Sequence, residues 1–458
     1  MVLILGAGLA GLTAADHLDG TDRLVLERGD EVGGLCRSFR EEGFTFDCTG
    51  HLLHLRRPEL RAYVAELLPD GWLELQRSAW IASHGTLTPY PFQANTAGLP
   101  LDVRLDCLLG FIEAMRAAEN APLASVPDEG PLGAGPSFLK TRPEAAPDEP
   151  SFRDWIERSF GAGFARHFFT PYNTKMWQRD LDQVTGDWVS WSIPRPELAD
   201  VLRGAITANE KSFGYNPEFL YPRAGGIDAL PRAIAARLPE GVVRTGCAVE
   251  ALDAGHRRVT LAGGESHDAE HVLSSLPLSA LARMTTDLPR ELAEAAAQLQ
   301  HVSIRVVNVG LRGAPVHPDV QWVYVPDPEL PFHRVGLPTA LTPAMAPEGH
   351  HQLVAEISMR PGQEPDADDS LGATLAGLVG LGMLRDPDDV VYARVIDIPE
   401  AYVVFDRERR AVLPGLLRFY AERGIVPIGR YGTWDYLSMG DAMHHGQEAA
   451  HWILESGQ

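Results

Sequence analysis

The sequence predicts a mixed α/β protein of about three domains, and three observations support this prediction. The 458 residues exceed a single ordinary domain, at roughly 150 residues per domain. The chain opens with an apolar strand, a glycine turn, a helix and a second apolar strand, which is the order of a βαβ unit. Strand-like runs between His301 and Ile357 indicate an antiparallel sheet, and helical segments lie between the two regions.

The composition excludes several classes of protein. Hydrophobic residues make up 45% and charged residues 22%, as in an ordinary globular protein. The 62 acidic and 40 basic residues give a formal charge of −22, which repels nucleic acid and anionic membranes. The apolar stretches Val2–Ala15 and Leu371–Leu384 are too short to span a bilayer. We therefore expect no nucleic-acid or membrane partner, and the composition leaves a homo-oligomer open.

The cysteines and the N-terminal sequence indicate in which cellular compartment the protein is expected. The four cysteines are scattered and no pair has CxxC spacing, so a disulfide framework is not expected. The apolar N-terminal run has no basic region before it, unlike a signal peptide. These features favour a reducing cytoplasm.

The first residues carry a nucleotide-binding pattern. The strand Val2–Leu5 leads directly into Gly6, Gly8 and Gly11, and a second strand ends at Glu27. Gly6 permits a tight turn, Gly8 lets the backbone approach a pyrophosphate, and Gly11 lets the helix pack on the strand. A carboxylate at Glu27 is placed to accept hydrogen bonds from ribose hydroxyls. The pattern predicts a dinucleotide site.

A second glycine pair distinguishes the cofactor. Gly33 and Gly34 follow soon after Glu27, and Arg37 comes three residues later. Two adjacent glycines let a loop press against a bulky planar cofactor, and the arginine can meet its phosphates. This extension resembles the second signature of FAD proteins of the amine-oxidase and mutase group, so we expect FAD.

Later segments hold further candidates. The proline-bracketed run Thr88–Asn95 contains Tyr90 and Gln93, and residues 121–150 read as a loop rich in proline. The histidines His51 and His54 have spacing compatible with a metal pair, but no third ligand is near in sequence, so we expect no metal.

A helix is predicted from Ser151, with Asp154 as its capping-box partner. Its end is dense in aromatic and amide groups, among them Tyr172, Asn173 and Trp177. Aromatic residues mostly pack in cores, whereas Asn173 is costly there without a partner. This stretch is therefore either a helical core or part of a ligand site.

Five motifs in order resemble UDP-galactopyranose mutases of the eukaryotic type over nearly the whole chain. They are Gly6–Gly11, Gly33-Gly34, the aromatic-amide stretch Pro171–Trp177, Tyr221–Gly226 and Gly429–Tyr436. The resemblance implies a Rossmann-type FAD-binding domain, an antiparallel-sheet substrate domain and a helical domain. It places the FAD-binding domain at residues 1–98, 215–276 and 401–458, the helical domain at 99–214, and the sheet at 277–400.

The resemblance also implies a nucleotide sugar, UDP-linked, as the substrate. Two arginines would clamp its pyrophosphate: Arg334 on one strand, and Arg195, with Arg179 as the alternative, on a loop. Tyr436 resembles a tyrosine that contacts phosphate. Tyr90, Gln93, Tyr172, Asn173 and Trp177 are the expected substrate contacts.

On the cofactor side, His51 resembles the histidine beside the isoalloxazine, and Arg430 and Asp441 resemble residues near the flavin. The implied reaction converts the sugar from pyranose to furanose. N5 of the reduced flavin attacks C1 of the sugar, which forms an adduct and releases UDP. The flavin must therefore be reduced by NAD(P)H or another reductant. No Ser-His-Asp motif, HExxH or P-loop appears in the sequence, so the flavin carries the demanding chemistry.

Two other functions remain open from the sequence. One is an FAD-dependent oxidoreductase or desaturase of the amine-oxidase type. That class shares the fold and the Gly-Gly signature, but its substrate site would be expected at the end of a long apolar tunnel. The other is a flavin-binding protein without catalysis. The arginine, tyrosine and tryptophan content near residues 172–195 and Arg334 favours the mutase.

Overall fold

The computed structural model describes residues 1–69, 71–120, 136–139, 150–186, 188–189, 193–209, 211, 213 and 217–456. The segment 121–150, predicted to be a loop, lies outside the described residues except for 136–139 and Pro150.

The secondary structure alternates strands and helices along the chain. The strands are β1 (Val2–Leu5), β2 (Arg23–Leu26), β3 (Ser38–Glu41), β4 (Phe44–Asp47), β5 (Trp72–Gln76), β6 (Ala79–Ser83), β7 (Thr86–Pro89), β8 (Glu218–Pro222), β9 (Val243–Arg244), β10 (Val249–Asp253), β11 (Arg258–Leu261), β12 (Ser266–Asp268), β13 (His271–Ser274), β14 (His301–Arg312), β15 (Trp322–Tyr324), β16 (Arg334–Gly336), β17 (His350–Met359), β18 (Val390–Val403) and β19 (Ile425–Pro427). The α-helices are α1 (Leu9–His17), α2 (Pro58–Leu67), α3 (Leu101–Asn120), α4 (Phe152–Phe164), α5 (Thr170–Trp177), α6 (Leu198–Ile206), α7 (Ala229–Arg237), α8 (Leu278–Met284), α9 (Arg290–Ala296), α10 (Ala367–Gly380), α11 (Arg407–Ala421), α12 (Gly429–Gly432) and α13 (Met439–Ser456).

A five-stranded parallel sheet in the order β19-β13-β1-β2-β9 forms the first layer. All four residues of β1 are buried, as expected for a strand that is covered on both faces by helices. Helices α1 and α13 pack together closely because Gly446 lies against α1. A Cβ at that position would come within 2.3 Å of the Ala10 carbonyl oxygen. The predicted βαβ opening is confirmed.

A seven-stranded sheet in the order β18-β14-β17-β16-β15-β6-β7 forms the second layer. Its neighbours are antiparallel except for the parallel pair β15 and β6. One face packs against apolar residues of α10 such as Leu378, and the other packs against Phe44 and Phe46 of β4. In the register of β16 with β17, Arg334 lies opposite Glu356.

The helical region joins these layers. Helix α4 begins after Ser151, whose side chain and that of Asp154 form the predicted capping box. Helices α3 and α4 approach closely at glycines, since a Cβ on Gly163 would lie 2.2 Å from the Asp106 carbonyl oxygen. A π-helical stretch, Ala165–Phe169, leads into α5. Together these layers confirm the predicted α/β fold.

Residues 72–83 contain two consecutive strands, β5 and β6, which belong to different sheets. Strand β5 pairs with β8, whereas β6 pairs with β7 and β15. The backbone therefore leaves one sheet and enters another within a run that alternates continuously in sequence. Among the helices of the described residues, none has the length and apolar character needed to cross a membrane.

Candidate functional site

Two glycine-containing loops press against each other at the carboxyl end of the parallel sheet. The Gly33 N–H donates to the Ala7 carbonyl oxygen at 2.8 Å, and Gly8 and Gly33 form a parallel β-bridge. A Cβ on Gly34 would lie 3.3 Å from the Gly8 Cα, and Gly34 has a φ of +60°. The two glycine motifs that the sequence assigns to the cofactor are thus in direct contact.

Glu27 fixes the first of these loops from the end of β2. Its Oε2 accepts the Ala7 N–H at 2.9 Å, and its Oε1 accepts the Gly29 N–H at 2.8 Å. A carboxylate held by two backbone donors keeps lone pairs for further donors. The ribose hydroxyls of a dinucleotide are suitable donors at this position.

The space around Gly8 fits a dinucleotide cofactor. A Cβ on Gly8 would meet no protein atom within 4 Å, whereas a Cβ on Gly11 would lie 2.1 Å from the Gly6 carbonyl oxygen. Helix α1 has no side-chain cap at its N-terminus, so its first N–H groups can receive a phosphate. The buried Nε of Arg37 has no partner among the described residues. These residues would hold the pyrophosphate and ribose of FAD.

A buried ion pair lies on the antiparallel sheet. The Nε of Arg334 donates to Glu356 Oε2 at 3.0 Å, and its Nη2 donates to Oε1 at 2.6 Å and to Oε2 at 2.7 Å. The side chain of Glu356 is 3% exposed and that of Arg334 is 25% exposed. Thr49 donates its hydroxyl to Glu356 Oε1 at 2.8 Å. The pair therefore anchors the turn that carries Thr49, Gly50 and His51.

Electrostatics hold both groups of this pair in their charged forms. Burial opposes ionisation of Glu356, but the Arg334 guanidinium outweighs it and lowers the pKa of the carboxyl to about 2. Burial likewise lowers the pKa of Arg334, yet the Glu356 carboxylate holds it well above its ordinary value. Each charge thus stabilises its partner, and the pair is nearly neutral as a unit.

His51 lies beside this pair as a neutral base. Burial lowers its pKa to about 4, against the opposing influence of Glu356. Its Nδ1 is 3.1 Å from the Thr49 carbonyl oxygen, which fixes Nδ1 as the protonated nitrogen. Both Arg334 and Arg430 act on it electrostatically, so the structure brings these three predicted residues together.

Five tyrosines lie next to this group. The Tyr324 ring lies 5.6 Å from Tyr90 and 5.5 Å from Tyr172, between ring centroids. Tyr402 and Tyr436 are 6.2 Å apart. Burial raises the pKa of the Tyr172 and Tyr402 hydroxyls, so both remain hydrogen-bond donors at neutral pH.

His333 connects the two halves of the tyrosine cluster. Its ring centroid is 6.3 Å from both Tyr172 and Tyr402, and its Nε2 is 3.7 Å from Glu356 Oε2. Burial lowers the pKa of this histidine to about 3. The neutral imidazole of His333 therefore lies between Tyr172 and Tyr402 and next to the Arg334–Glu356 ion pair.

Arg430 and Asp441 hold the C-terminal segment. The Arg430 guanidinium lies 4.4 Å from the ring centroid of Tyr436, and its Nη1 donates to the Leu437 carbonyl oxygen at 3.0 Å. Asp441 accepts the Ser438 N–H at 3.1 Å and the Ser438 hydroxyl at 2.6 Å, which caps α13. Their predicted role near the flavin stays a prediction.

The remaining predicted substrate contacts are buried in the helical region. Asn173 donates to the Phe169 carbonyl oxygen at 2.8 Å, Gln93 donates to the Pro194 carbonyl oxygen at 2.6 Å, and Trp177 is fully buried. Asn173 and Gln93 thus have internal partners, whereas the buried Nε1–H of Trp177 has none among the described residues. A role in binding substrate stays a prediction for all three.

The two candidates for the second clamp, Arg195 and Arg179, have different partners. The Arg195 guanidinium is 4.9 Å from the centroid of the Trp155 ring, and no carboxylate within the described part of the chain pairs with it. Arg179 pairs with Asp406 at 3.8 Å, and burial lowers its pKa. Arg195 is therefore the better placed of the two to receive an anionic ligand.

Sequence reasoning missed Glu356, Thr49, His333, Tyr324 and Tyr402. Glu356 carried a readable signal, since it is the one charged residue in the apolar run Leu353–Met359. A carboxylate in such a run needs a partner, but its identity depends on the strand register. Among the described residues, no group of three or more His, Cys, Asp or Glu is arranged to hold a metal ion.

Comparison with known proteins places the chain in a broad group of flavoproteins. The family model for "Flavin containing amine oxidoreductase" matches residues 9–451. Coproporphyrinogen III oxidase of Mycobacterium tuberculosis is 25% identical over 423 residues, which cover 87% of this chain and 86% of that protein. The inactive all-trans-retinol 13,14-reductase of Danio rerio is 40% identical over 73 residues, and this match spans only 15% of this chain and 12% of that protein.

Solved structures show the same fold over the full length. A reduced UDP-galactopyranose mutase superposes with a TM-score of 0.88 at 26% identity and covers 99% of this chain and 95% of its own. Cyclohexylamine oxidase of Brevibacterium oxydans superposes with a TM-score of 0.66 at 17% identity and covers 99% and 98%. The second likeness shows the fold alone.

Proposed function

The chain belongs to the flavin containing amine oxidoreductase family, and from this premise we propose that it is a flavin-dependent mutase that converts a nucleotide-bound sugar from pyranose to furanose. Family membership implies FAD as the cofactor. The similarity to UDP-galactopyranose mutase extends over 99% of the chain, which supports a UDP-linked substrate. In this proposal the flavin is reduced by NAD(P)H or another reductant.

The observation that carries the proposal is the polar, aromatic lining beside Arg334. The hydroxyls of Tyr172, Tyr324 and Tyr402 make no hydrogen bond to any described residue, although these side chains are buried or half-buried. None of the three oxygens is among the fully buried unpartnered atoms of the described residues, so they are accessible and can donate to a ligand. A sugar and a diphosphate supply many hydroxyl and oxygen partners, whereas an apolar amine supplies few.

The ion pair determines what Arg334 can offer a ligand. Its Nε and Nη2 are engaged by Glu356, so Nη1 is the nitrogen left for a diphosphate oxygen. Because Glu356 balances most of the charge of Arg334, a departing diphosphate needs a second cation. Arg195 can supply that charge, since no described carboxylate pairs with it, and Tyr436 can add a hydroxyl donor.

The side chains that we place beside the reacting carbon, His51 and Tyr402, are both uncharged at neutral pH. When bound, reduced FAD supplies an electron-rich group for the anomeric carbon of the sugar. His51 stays uncharged at neutral pH, so it does not compete with the arginines for the diphosphate. Tyr402 remains a proton-bearing donor, which can hold a sugar oxygen while the ring opens and closes.

An oxidoreductase is the second candidate. The 25% identity to coproporphyrinogen III oxidase over 423 residues favours it, and the fold is shared with cyclohexylamine oxidase. An oxidase of this type would transfer electrons from its substrate to oxidised flavin. The mutase would require reduced flavin and consume no electrons.

The test uses purified protein loaded with FAD. It is reduced with dithionite, incubated with UDP-galactopyranose, and the nucleotide sugars are separated by chromatography. The proposal predicts a new peak with the mass of the substrate, formed over many turnovers. An unchanged substrate peak, also with a panel of other nucleotide-linked hexoses, would contradict it.

A further inference from the structure

The segment Tyr221–Gly226, one of the five sequence motifs, lies against the buried carboxyl group of Asp47 at the end of β4. The Tyr221 hydroxyl donates to Asp47 Oδ2 at 2.6 Å, and the Ile227 N–H donates to Oδ1 at 3.0 Å. Ser38, at the start of β3, donates its hydroxyl to Oδ1 at 2.7 Å. Three uncharged donors thus converge on a carboxylate whose residue is only 8% exposed.

No cation pairs with Asp47 in the described part of the chain. Gly226 packs so closely that a Cβ there would lie 2.5 Å from the Ser38 hydroxyl oxygen and 2.8 Å from Asp47 Oδ1. Arg40, on the same hairpin, donates instead to the two carboxylate oxygens of Asp228 at 2.8 and 2.9 Å. Since a buried charge normally pairs with an opposite charge, Asp47 is an exception that calls for a reason.

The charge of Asp47 lowers the stability of the folded chain at neutral pH. Burial raises the pKa of this carboxyl to about 6, although its three hydrogen bonds lower it. The titratable and charged groups that face it are Tyr221 on β8, Asp228 before α7, Arg40 on β3, and the thiols of Cys36 and Cys48. Because an aspartate in an unfolded chain has a pKa of 3.8, ionisation of Asp47 above pH 6 costs folding free energy. A charge that is kept at such a cost is expected at a functional position.

Asp47 lies at the base of the β3–β4 hairpin, opposite the first residue of β3. The chain segments that leave this base carry residues assigned to the cofactor, with the Gly33-Gly34 loop before β3 and the turn of His51 after β4. The Cys48 N–H donates to the Arg37 carbonyl oxygen at 2.8 Å, which joins the two segments directly beyond Asp47. A change at the Asp47 carboxyl therefore reaches both of these cofactor loops.

We propose that Asp47 is a positioning residue for FAD, and that its carboxylate form holds both cofactor loops more firmly than its protonated form does. Hydrogen bonds to a charged acceptor are about twice as strong as those between neutral groups. Protonation therefore loosens the hairpin base, and FAD must then order the loops at a cost in affinity. By linkage, FAD binding favours the ionised carboxyl and releases a proton. This inference rests on the FAD of the proposed function and is independent of the mutase reaction.

The first test titrates the apoprotein with FAD at pH 7.5 and pH 5 and follows flavin fluorescence. A tenfold coupling between the proton and FAD predicts binding about five times weaker at pH 5 than at pH 7.5. Asp47→Asn, a neutral isostere of the protonated form, should bind FAD about tenfold more weakly than the parent at pH 7.5. It should also lose the pH dependence that Asp47 contributes.

Asp287→Asn is the matched control, because the Asp287 carboxylate accepts the N–H groups of Ala254 and Gly255, each at 2.8 Å. This aspartate is also held by protein donors, but it lies in an exposed loop after α8. Its affinity for FAD and its pH dependence should equal those of the parent.

The stability of the apoprotein separates a positioning role from a merely structural one. Because the buried charge lowers stability, the Asp47→Asn apoprotein should melt no lower than the parent at pH 7.5, although it binds FAD more weakly. An aspartate that only supports the fold would lower both the thermal midpoint and the affinity. Tyr221→Phe removes one donor to the carboxylate, so the pH at which FAD affinity changes should move upwards.

Calorimetry in buffers of different ionisation enthalpy counts the protons released when FAD binds. The same coupling predicts that the parent releases about half a proton more than Asp47→Asn at pH 5.5. Equal pH dependence and equal proton release in the two proteins, or a lower melting temperature of the Asp47→Asn apoprotein, would overturn the proposal. A parent apoprotein that binds no FAD at either pH would contradict the proposed function and, with it, this inference.

Discussion

Arg334 and Glu356 lie opposite each other on β16 and β17, and the guanidinium donates to the carboxylate through Nε at 3.0 Å and through Nη2 at 2.6 and 2.7 Å. Two of the three guanidinium nitrogens of Arg334 are therefore engaged by Glu356. The same carboxylate accepts the Thr49 hydroxyl at 2.8 Å. One ion pair thus fixes the Arg334 guanidinium and also holds the turn that leads to His51.

Replacing Arg334 by lysine should weaken substrate binding. A lysine keeps a charge but cannot engage Glu356 through two nitrogens and also extend a third to a diphosphate. We expect the affinity of the reduced protein for UDP to fall about tenfold or more, with flavin content unchanged. Titration of UDP by calorimetry measures this effect.

Arg385→Lys is the matched control, since among the described residues the Arg385 guanidinium donates to a loop carbonyl alone, that of Ala314, at 3.2 Å. Its affinity for UDP should equal that of the parent. Equal affinities in the Arg334→Lys protein and the parent would remove Arg334 from the ligand site.

Gly8 and Gly11 should respond differently to alanine. A Cβ on Gly8 meets no protein atom within 4 Å, so the protein without cofactor should keep its stability. That Cβ would lie where the cofactor approaches, so FAD affinity should fall at least tenfold. Gly11→Ala places a Cβ 2.1 Å from the Gly6 carbonyl oxygen, and should lower the thermal midpoint even without FAD. Thermal unfolding and flavin titration of both variants distinguish the two effects; a destabilised Gly8→Ala protein would contradict the account.

Glu27→Ala should weaken FAD binding through lost hydrogen bonds. The carboxylate fixes the Ala7 and Gly29 N–H groups and is expected to accept from the ribose, so its loss should cost about 1.5–3 kcal/mol of binding. Glu31→Ala is the control, because Glu31 is exposed and makes only a long ion pair of 3.6 Å with Arg232. Fluorescence titration of the apoprotein with FAD should separate them, and matching affinities would exclude Glu27 from the cofactor site.

Acidification should destabilise the protein, in part through His445. Burial lowers the pKa of this histidine to about 4, against 6.5 in an unfolded chain. Between those values only the unfolded chain gains the proton, so stability is lost as the pH falls from 6.5 towards 4. His445→Phe can keep the stacking on Phe138, whose ring centroid is 4.0 Å away, and should remove up to about 2 kcal/mol of the loss between pH 6.5 and 5.

Urea unfolding at pH 7 and pH 5 measures this difference. If His445→Phe and the parent lose equal stability between the two pH values, His445 does not contribute as described.

The cofactor site was predictable because its determinants are local. Gly6, Gly8 and Gly11 lie within one turn between a strand and a helix, and sequence order alone places Glu27 at the end of the next strand. The contact between the two glycine loops was not predicted, because the sequence placed the second loop only against a planar cofactor. Short-range geometry therefore fixed this part of the molecule.

The substrate side was predictable only in part. Arg334 could be assigned to a strand, but its partner Glu356 is 22 residues away, and only the register of β16 with β17 brings them together. Arg195 follows an aromatic helical region, yet its stacking on Trp155 depends on how that region folds back. These contacts arise from tertiary packing, which the sequence pattern does not encode locally.

The central claim is that the protein rearranges a sugar on reduced flavin without net electron transfer. The most direct test is an anaerobic reaction with UDP-galactopyranose in which flavin absorbance and product are followed together, from the oxidised and the reduced protein in parallel. The account predicts that only the reduced protein forms the furanose product, and that its flavin stays reduced over many turnovers. Full activity with oxidised flavin, or bleaching of the oxidised flavin in proportion to the substrate added, would contradict it.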